Sequence, residues 1–208
     1  MNKNEKVIMV VEKVNLFGND YFQGFRPHRE INYESRIISN LKWMQRGLAE
    51  KDLTHKQPIA YSVIINPALK KVFAYQRSKK DANYSEKRLQ GKWSLGVGGH
   101  IEKLDTTKGN PVQTSMLREL AEEVHIAGSL TPKVVGYIND DGDEVGQVHF
   151  GILYIIETDA HTILPKAPEI ESGGFRTIEE LEKICSSPEY SVEKWAKITL
   201  GVLKSMGF

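Results

Sequence analysis

Cysteine is nearly absent. The 208 residues hold one, Cys185, so no intramolecular disulfide can form, and its place on a helical segment reads as a small packed side chain. Long apolar runs are missing as well, and no stretch approaches the length that spans a bilayer, which excludes membrane-spanning helices. Behind Met1-Asn2-Lys3-Asn4-Glu5-Lys6 the apolar run is soon interrupted by Glu12 and Lys13, unlike a secretory leader. A soluble, cytoplasmic protein is the expectation. Charge of one sign is lacking too: 28 Lys and Arg stand against 27 Asp and Glu, a net charge of +1. No strong field therefore draws nucleic acid or an anionic membrane, although a local basic cleft is compatible with this balance. Internal repeats and low-complexity tracts are also missing. What is present, 40% hydrophobic and 26% charged residues, suits one well-cored domain with an appended piece.

Val7 to Val11 reads as a buried strand, and residues 14–32 as a loop with aromatic anchors Phe17, Tyr21, Phe22 and Phe25. From Glu34 to Ala49, Ile37, Ile38, Leu41, Met44 and Leu48 recur at helical spacing, with Trp43 in the same helix. Residues 1–56 are thus expected to form an N-terminal extension of strand, loop and helix packed on a main domain of residues 57–208. Ile59 to Ile65 and Lys71 to Gln76 predict a hairpin turning at Asn66-Pro67. Ser78 to Gln90 reads as a polar loop, and Trp93 to Glu102 as a strand running into glycines with Trp93 in the core. A helix is predicted from about Pro111 to His125, capped by Asn110, with Gly128 just past its end. Strands follow at Lys133 to Ile138 and Val148 to Ile156. The acidic stretch between them lacks the spacing and terminal glutamate of a calcium loop. Residues 157–176 read as loop ending in a short strand near Gly174. A helix capped by Thr177, with Glu180 at the capping-box position, comes next, then a final helix over 191–205 with Trp195, Ile198 and Val202 in its apolar stripe. The irregular alternation favours an α+β fold, a mixed sheet between helices, over a doubly wound parallel sheet.

Chemistry concentrates in the predicted helix at Arg118-Glu119-Leu120-Ala121-Glu122-Glu123-Val124-His125-Ile126. At about 100° per residue, Glu119, Glu122 and Glu123 share one arc, with Leu117, Leu120, Ala121 and Val124 opposite. Three carboxylates this close repel unless a cation lies among them, and a hard divalent ion such as Mg²⁺ or Mn²⁺ takes oxygen ligands. A Glu-rich face is also often merely solvated.

Joined to Gly98-Gly99-His100-Ile101-Glu102, this stretch resembles a Nudix box, G-x5-E-x7-R-E-U-x-E-E-x-G-U with U aliphatic. Gly99, Arg118, Glu119, Leu120, Glu122, Glu123 and Ile126 match. Asp105 stands where the first glutamate is expected, five extra residues around Lys108-Gly109-Asn110 precede the helix, and His125 replaces the closing glycine. Asp105 is the shorter carboxylate and is expected to weaken the loop's pairing with Arg118. Gly128 is expected to take over part of the cap.

The resemblance implies the α/β/α sandwich of the Nudix type and a metal-dependent hydrolase that cleaves a diphosphate bond in a nucleoside diphosphate derivative. Glu119, Glu122, Glu123 and the Gly99 carbonyl would hold Mg²⁺ (or Mn²⁺), and Arg118 would orient a helix carboxylate or the glycine loop. Arg77, Gly98 and Gly99 would face a small-molecule diphosphate substrate. Glu144, Glu169 and Glu171 are loop candidates for the general base, and His100 and His149 candidate ligand contacts. No membrane or nucleic-acid partner is implied; a homodimer through the N-terminal helix fits the extension. The alternative is a catalytically silent binding or regulatory module on the same fold. An isoprenoid diphosphate isomerase would want an active-site cysteine, and Cys185 lies in a late helix.

Overall fold

The chain opens with β1 (Val7–Glu12), α1 (Lys13–Phe17), β2 (Gly24–Pro27), α2 (Tyr33–Asn40), β3 (Lys42–Gln45) and α3 (Arg46–Ala49). Next come β4 (His55–Asn66), β5 (Lys71–Arg77), β6 (Trp93–Ser94), β7 (Gly96–Val97) and α4 (Pro111–Glu123). The remainder is β8 (Val124–Ile126), β9 (Thr131–Asn139), α5 (Glu144–Val148), β10 (His149–Glu157), β11 (Ile163–Pro165), β12 (Ile170–Arg176), α6 (Ile178–Ser186) and α7 (Lys194–Ser205). This computed structural model describes residues 3–79, 89–107 and 109–208. Most of the polar loop expected from Ser78 to Gln90, and Lys108 of the insertion, lie outside them. The strand order of the main sheet is β12-β5-β4-β10-β9-β2. A mixed sheet with helices, an α+β fold, is what the sequence pattern anticipates.

Two compact units divide the chain, and β4, α4, β9 and β10 each run through both. The first comprises Met1–Tyr61, Gly98–Arg118 and Val134–Tyr154. Its sheet carries β1 antiparallel to β3 and, at Val11↔Lys56, to β4, while β2 pairs with β9. Phe17, Phe22, Tyr33, Tyr137 and Phe150 make a cluster of edge-on and stacked rings, with centroids 5.1 to 6.3 Å apart. Each such edge-to-face pair contributes about 0.5–1.5 kcal/mol beyond its buried area. Of the aromatic anchors of residues 14–32, Phe17 and Phe22 join this cluster while Tyr21 is exposed, and the stretch is not a plain loop: it holds α1 and β2.

The single helix expected over Glu34–Ala49 is three elements. α2 stops at Asn40, Leu41 is extended (φ −59°, ψ 141°), and Lys42–Gln45 hydrogen-bonds along Val7–Val10. The spacing of Ile37, Leu41, Met44 and Leu48 mimics a helix, yet β1 needs a partner for its backbone groups, and tertiary pairing outweighs a local preference. The acidic stretch after β9 is occupied by the protein itself. Asp141 accepts from Lys56 Nζ at 2.5 Å, Asp140 from Gln23 at 2.7 Å, and Asp143 caps α5 through Gly146 N at 2.8 Å.

The second unit comprises Ser62–Val97, Glu119–Lys133 and Ile155–Phe208. The hairpin of β4 and β5 is present, turning through Lys70 at φ 51°. β12 extends along β5 with a bulge near Ile170, so the short strand expected near Gly174 is longer and starts at Ile170. Its Glu-Ser-Gly-Gly stretch has little strand propensity, but Gly173 is needed where a Cβ would lie 2.9 Å from the Phe73 ring. α6 carries the anticipated capping box between Thr177 and Glu180. α7 turns its face differently from expectation: Ala196, Thr199, Leu200, Val202 and Leu203 are buried, while Trp195 and Ile198 are half-exposed.

Candidate active site

α4 begins where the sequence pattern places it. Asn110 Oδ1 accepts from Val112 N at 2.9 Å, satisfying a first-turn donor next to Pro111. Its buried residues are Pro111, Val112, Ser115, Met116 and Leu120, whereas Leu117 and Ala121 are exposed. On a helical wheel the centre of that buried arc coincides with Glu119 and Glu123, both only partly exposed; Glu122 alone of the three is open. The expected arrangement holds for Leu120 and Val124, both buried, and fails for Leu117 and Ala121. The carboxylates do not oppose the core face but continue it, because the i, i+4 row from Ser115 runs on to Glu119 and Glu123. Charged groups on an inward helix face are costly unless something compensates them.

Within the second unit, burial pushes the Glu123 carboxyl up to about 8, opposed by the Arg77 cation and reinforced by Glu119, Glu169 and Glu193. Arg77 is itself engaged: Nε donates to Glu193, and the guanidinium lies 5.4 Å from the Tyr75 ring centre. Glu193 is 7% exposed and also accepts from Ser94 Oγ at 2.9 Å. It went unnoticed in the sequence because it sits at the N-terminus of α7 with no motif around it. Of the base candidates, Glu169 is near enough to Glu123 to raise its pKa, Glu171 accepts from Lys79 N, and Glu144 is an exposed first-turn residue of α5. These carboxylate oxygens are the donor set that a hard divalent cation takes.

The helix ends without a glycine cap. Lys166 N donates to Glu123 O at 2.8 Å, Lys166 Nζ donates to Ala121 O, and the chain enters β8, which pairs with β11. His125 is an exposed strand residue, and Gly128 is not in the left-handed region; a Cβ there would meet Asp159 Oδ1 at 2.6 Å. Gly128 is required by close approach, not as the cap anticipated.

In the first unit, the glycine turn and the loop into α4 are tightly built. A Cβ on Gly98 would lie 2.2 Å from the Ala60 carbonyl oxygen. Asp105, fully buried in a short 3-10 turn (Lys103–Thr107), accepts from Arg118 Nε at 2.9 Å, Arg118 Nη2 at 3.0 Å and Glu102 N at 2.8 Å. Arg118 Nη2 also donates to His100 O at 3.0 Å. The shorter carboxylate does not weaken this pairing: the 3-10 turn brings Asp105 to the guanidinium as a two-point partner. The His100 carbonyl that Arg118 holds directly follows the glycine turn. His100 is held neutral, well below its ordinary pKa, first by burial and then by the Arg46 charge.

The strand, the glycine turn and the carboxylate-bearing helix are elements of an α+β fold. The match of residues 55–195 to the NUDIX domain model is more specific, and the chain belongs to the Nudix hydrolase family. It is similar to Protein YmaB of Bacillus subtilis (strain 168), 30% identical over 98% of this chain and 100% of that one. Its fold resembles the crystal structure of Tm1382, described as a candidate Nudix hydrolase, at TM-score 0.77 and 26% identity, covering 97% of this chain and 100% of that chain. The NUDIX domain of Shewanella oneidensis NrtR, crystallised with ADP ribose, matches 72% of this chain and 88% of its own at TM-score 0.51 and 16% identity. No helix among the described residues is long and apolar enough to cross a membrane.

Proposed function

We propose that the protein is a divalent-cation-dependent hydrolase cleaving the diphosphate bond of a nucleoside diphosphate derivative or a similar small molecule. The observation that carries this reading is the inward-facing pair Glu119 and Glu123: burial, with Glu119, Glu169 and Glu193 adding to it, pushes the Glu123 carboxyl up to about 8. Negative charge at that density is what a hard cation offsets. Glu119, Glu122 and Glu123 hold Mg²⁺ (or Mn²⁺), with the Gly99 carbonyl in the ligand set. Bound there, the cation neutralises charge on the diphosphate oxygens and lowers the pKa of water. Arg118 positions the glycine loop through Asp105 and His100 O. Arg77, Gly98 and Gly99 face the substrate, and Glu169 takes the water's proton. The ADP ribose bound by the NrtR domain is a diphosphate-linked nucleotide of the class proposed here. In the same reading residues 1–56 are an N-terminal extension on a domain of 57–208, the enzyme works in the cytoplasm, and the extension serves a homodimer.

The test is a hydrolysis screen with Mg²⁺ and with Mn²⁺ against nucleoside diphosphate sugars, dinucleoside polyphosphates, nucleoside triphosphates and dinucleotide cofactors. Turnover in one class, abolished in Glu122→Gln/Glu123→Gln with the fold intact, supports the proposal. Equal turnover in that double variant would sink it, and binding without turnover in the native chain would make the protein a binding module.

A further inference from the structure

A second group of metal-type donors lies in the first unit, chemically unlike the oxygen-only set on α4. Glu50 directly follows α3, His100 directly follows the glycine turn, and His149 opens β10. One ligand atom from each falls within 4.8 Å of the others. The two Nε2 atoms are 3.3 Å apart, and each lies 3.9 Å from Glu50 Oε1. Donors arranged tetrahedrally about Zn²⁺ at about 2.0–2.1 Å are separated by roughly 3.3–3.4 Å, so a small contraction brings these three atoms onto one ion.

The surroundings agree. His149 Nδ1 donates to Val145 O at 2.7 Å, which leaves the Nε2 lone pair aimed into the group. A backbone carbonyl on the far ring nitrogen is how metal-ligating imidazoles are usually oriented. Gln57, 1% exposed, brings its Oε1 to 2.7 Å from His100 Nε2, a further oxygen beside the three, and its Nε2 has no hydrogen-bond partner among the described residues. The side chains keep exposures of 13% for His100, 8% for His149 and 16% for Glu50.

We propose that Glu50, His100 and His149 form a second cation site, taking a zinc-class divalent ion. Two imidazoles and one carboxylate favour such an ion over Mg²⁺, which prefers oxygen donors and water. Loading requires His100 to carry its proton on Nδ1 instead of Nε2, an exchange through solvent with no net proton change. Glu50 lies outside the 55–195 family match, so an ion bound there would tie the N-terminal stretch to the glycine turn and to β10.

The full chain carrying Glu122→Gln/Glu123→Gln, which removes two of the three box carboxylates, is stripped with a chelator and titrated with Co²⁺. Nitrogen-ligated, four- or five-coordinate Co²⁺ absorbs strongly in the visible, while octahedral oxygen-ligated Co²⁺ absorbs weakly. One equivalent with strong bands, displaced by Zn²⁺ and lost when His149→Gln or Glu50→Gln is added, is the expected result. Weak or absent bands, or bands unchanged by both substitutions, would overturn the site and leave a hydrogen-bonded histidine pair. Circular dichroism checks each fold; if His149→Gln does not fold, the isosteric Glu50→Gln alone decides.

Discussion

Removing the Asp105 carboxylate tests how the loop into α4 is held. Asp105 has no exposed surface, and its two oxygens accept three hydrogen bonds, two from Arg118 and one from Glu102 N. In Asp105→Ala the Arg118 guanidinium, with a side-chain exposure of 16%, loses its partner charge while still tied to His100 O. Removing one member of a buried ion pair costs about 3–5 kcal/mol, mostly from the charge left behind. For a chain of this length that is a fall in melting temperature of roughly 6–20 °C. Asp105→Glu restores the residue of the family pattern, but it pushes a methylene into a filled site and is expected to cost about 1–3 kcal/mol. Asp105→Ala/Arg118→Leu removes both charges and should recover part of the loss. Urea denaturation of the three variants gives the ranking. A loss below about 1 kcal/mol for Asp105→Ala, or a larger loss for Asp105→Glu than for Asp105→Ala, would refute the buried-pair account.

Glu123, with a folded pKa raised from 4.5 to about 8, binds its proton more tightly folded than unfolded. Metal-free stability should therefore fall as pH rises from 4.5 towards about 8 and level off above, and saturating Mg²⁺ should flatten the trend. Urea midpoints across that range in chelator, then in Mg²⁺, read this; a metal-free protein with no such slope contradicts it. Gly98→Ala places a methyl 2.2 Å from the Ala60 carbonyl oxygen, a backbone atom that cannot rotate aside. It should cost about 1–3 kcal/mol by thermal denaturation, and a variant as stable as the native chain would show that the turn relaxes freely. Thr177→Ala removes the α6 capping box and should cost about 0.5–2 kcal/mol; an unchanged melting temperature would place the stability of α6 in packing alone.

Local chemistry was legible from residues alone wherever it acts over a few positions. The hairpin at Asn66-Pro67, the caps at Asn110 and Thr177, and the helical run Arg118, Glu119, Glu122 and Glu123 all rest on spacing within one or two turns. Elements held by distant partners were not. β3 exists because β1 offers it a ladder, and β12 because β5 does, although Lys42–Gln45 and Glu171-Ser172-Gly173-Gly174 have no strong preference of their own. Periodicity was least able to say which side of α4 faces inward. Leu117 and Ala121 look like core residues by type, yet they are exposed while Glu119 and Glu123 turn in.

The sequence by itself determined the family and the fold class, and it singled out the carboxylates proposed to hold a cation, because motif spacing survives without coordinates. Only the tertiary structure decided that Asp105 serves Arg118 as a two-point partner, that Glu193 and Glu169 crowd Glu123, and that Glu50, His100 and His149 converge. Those facts join residues 13 to 99 positions apart, and burial sets their energies, which no pattern along a single chain can report.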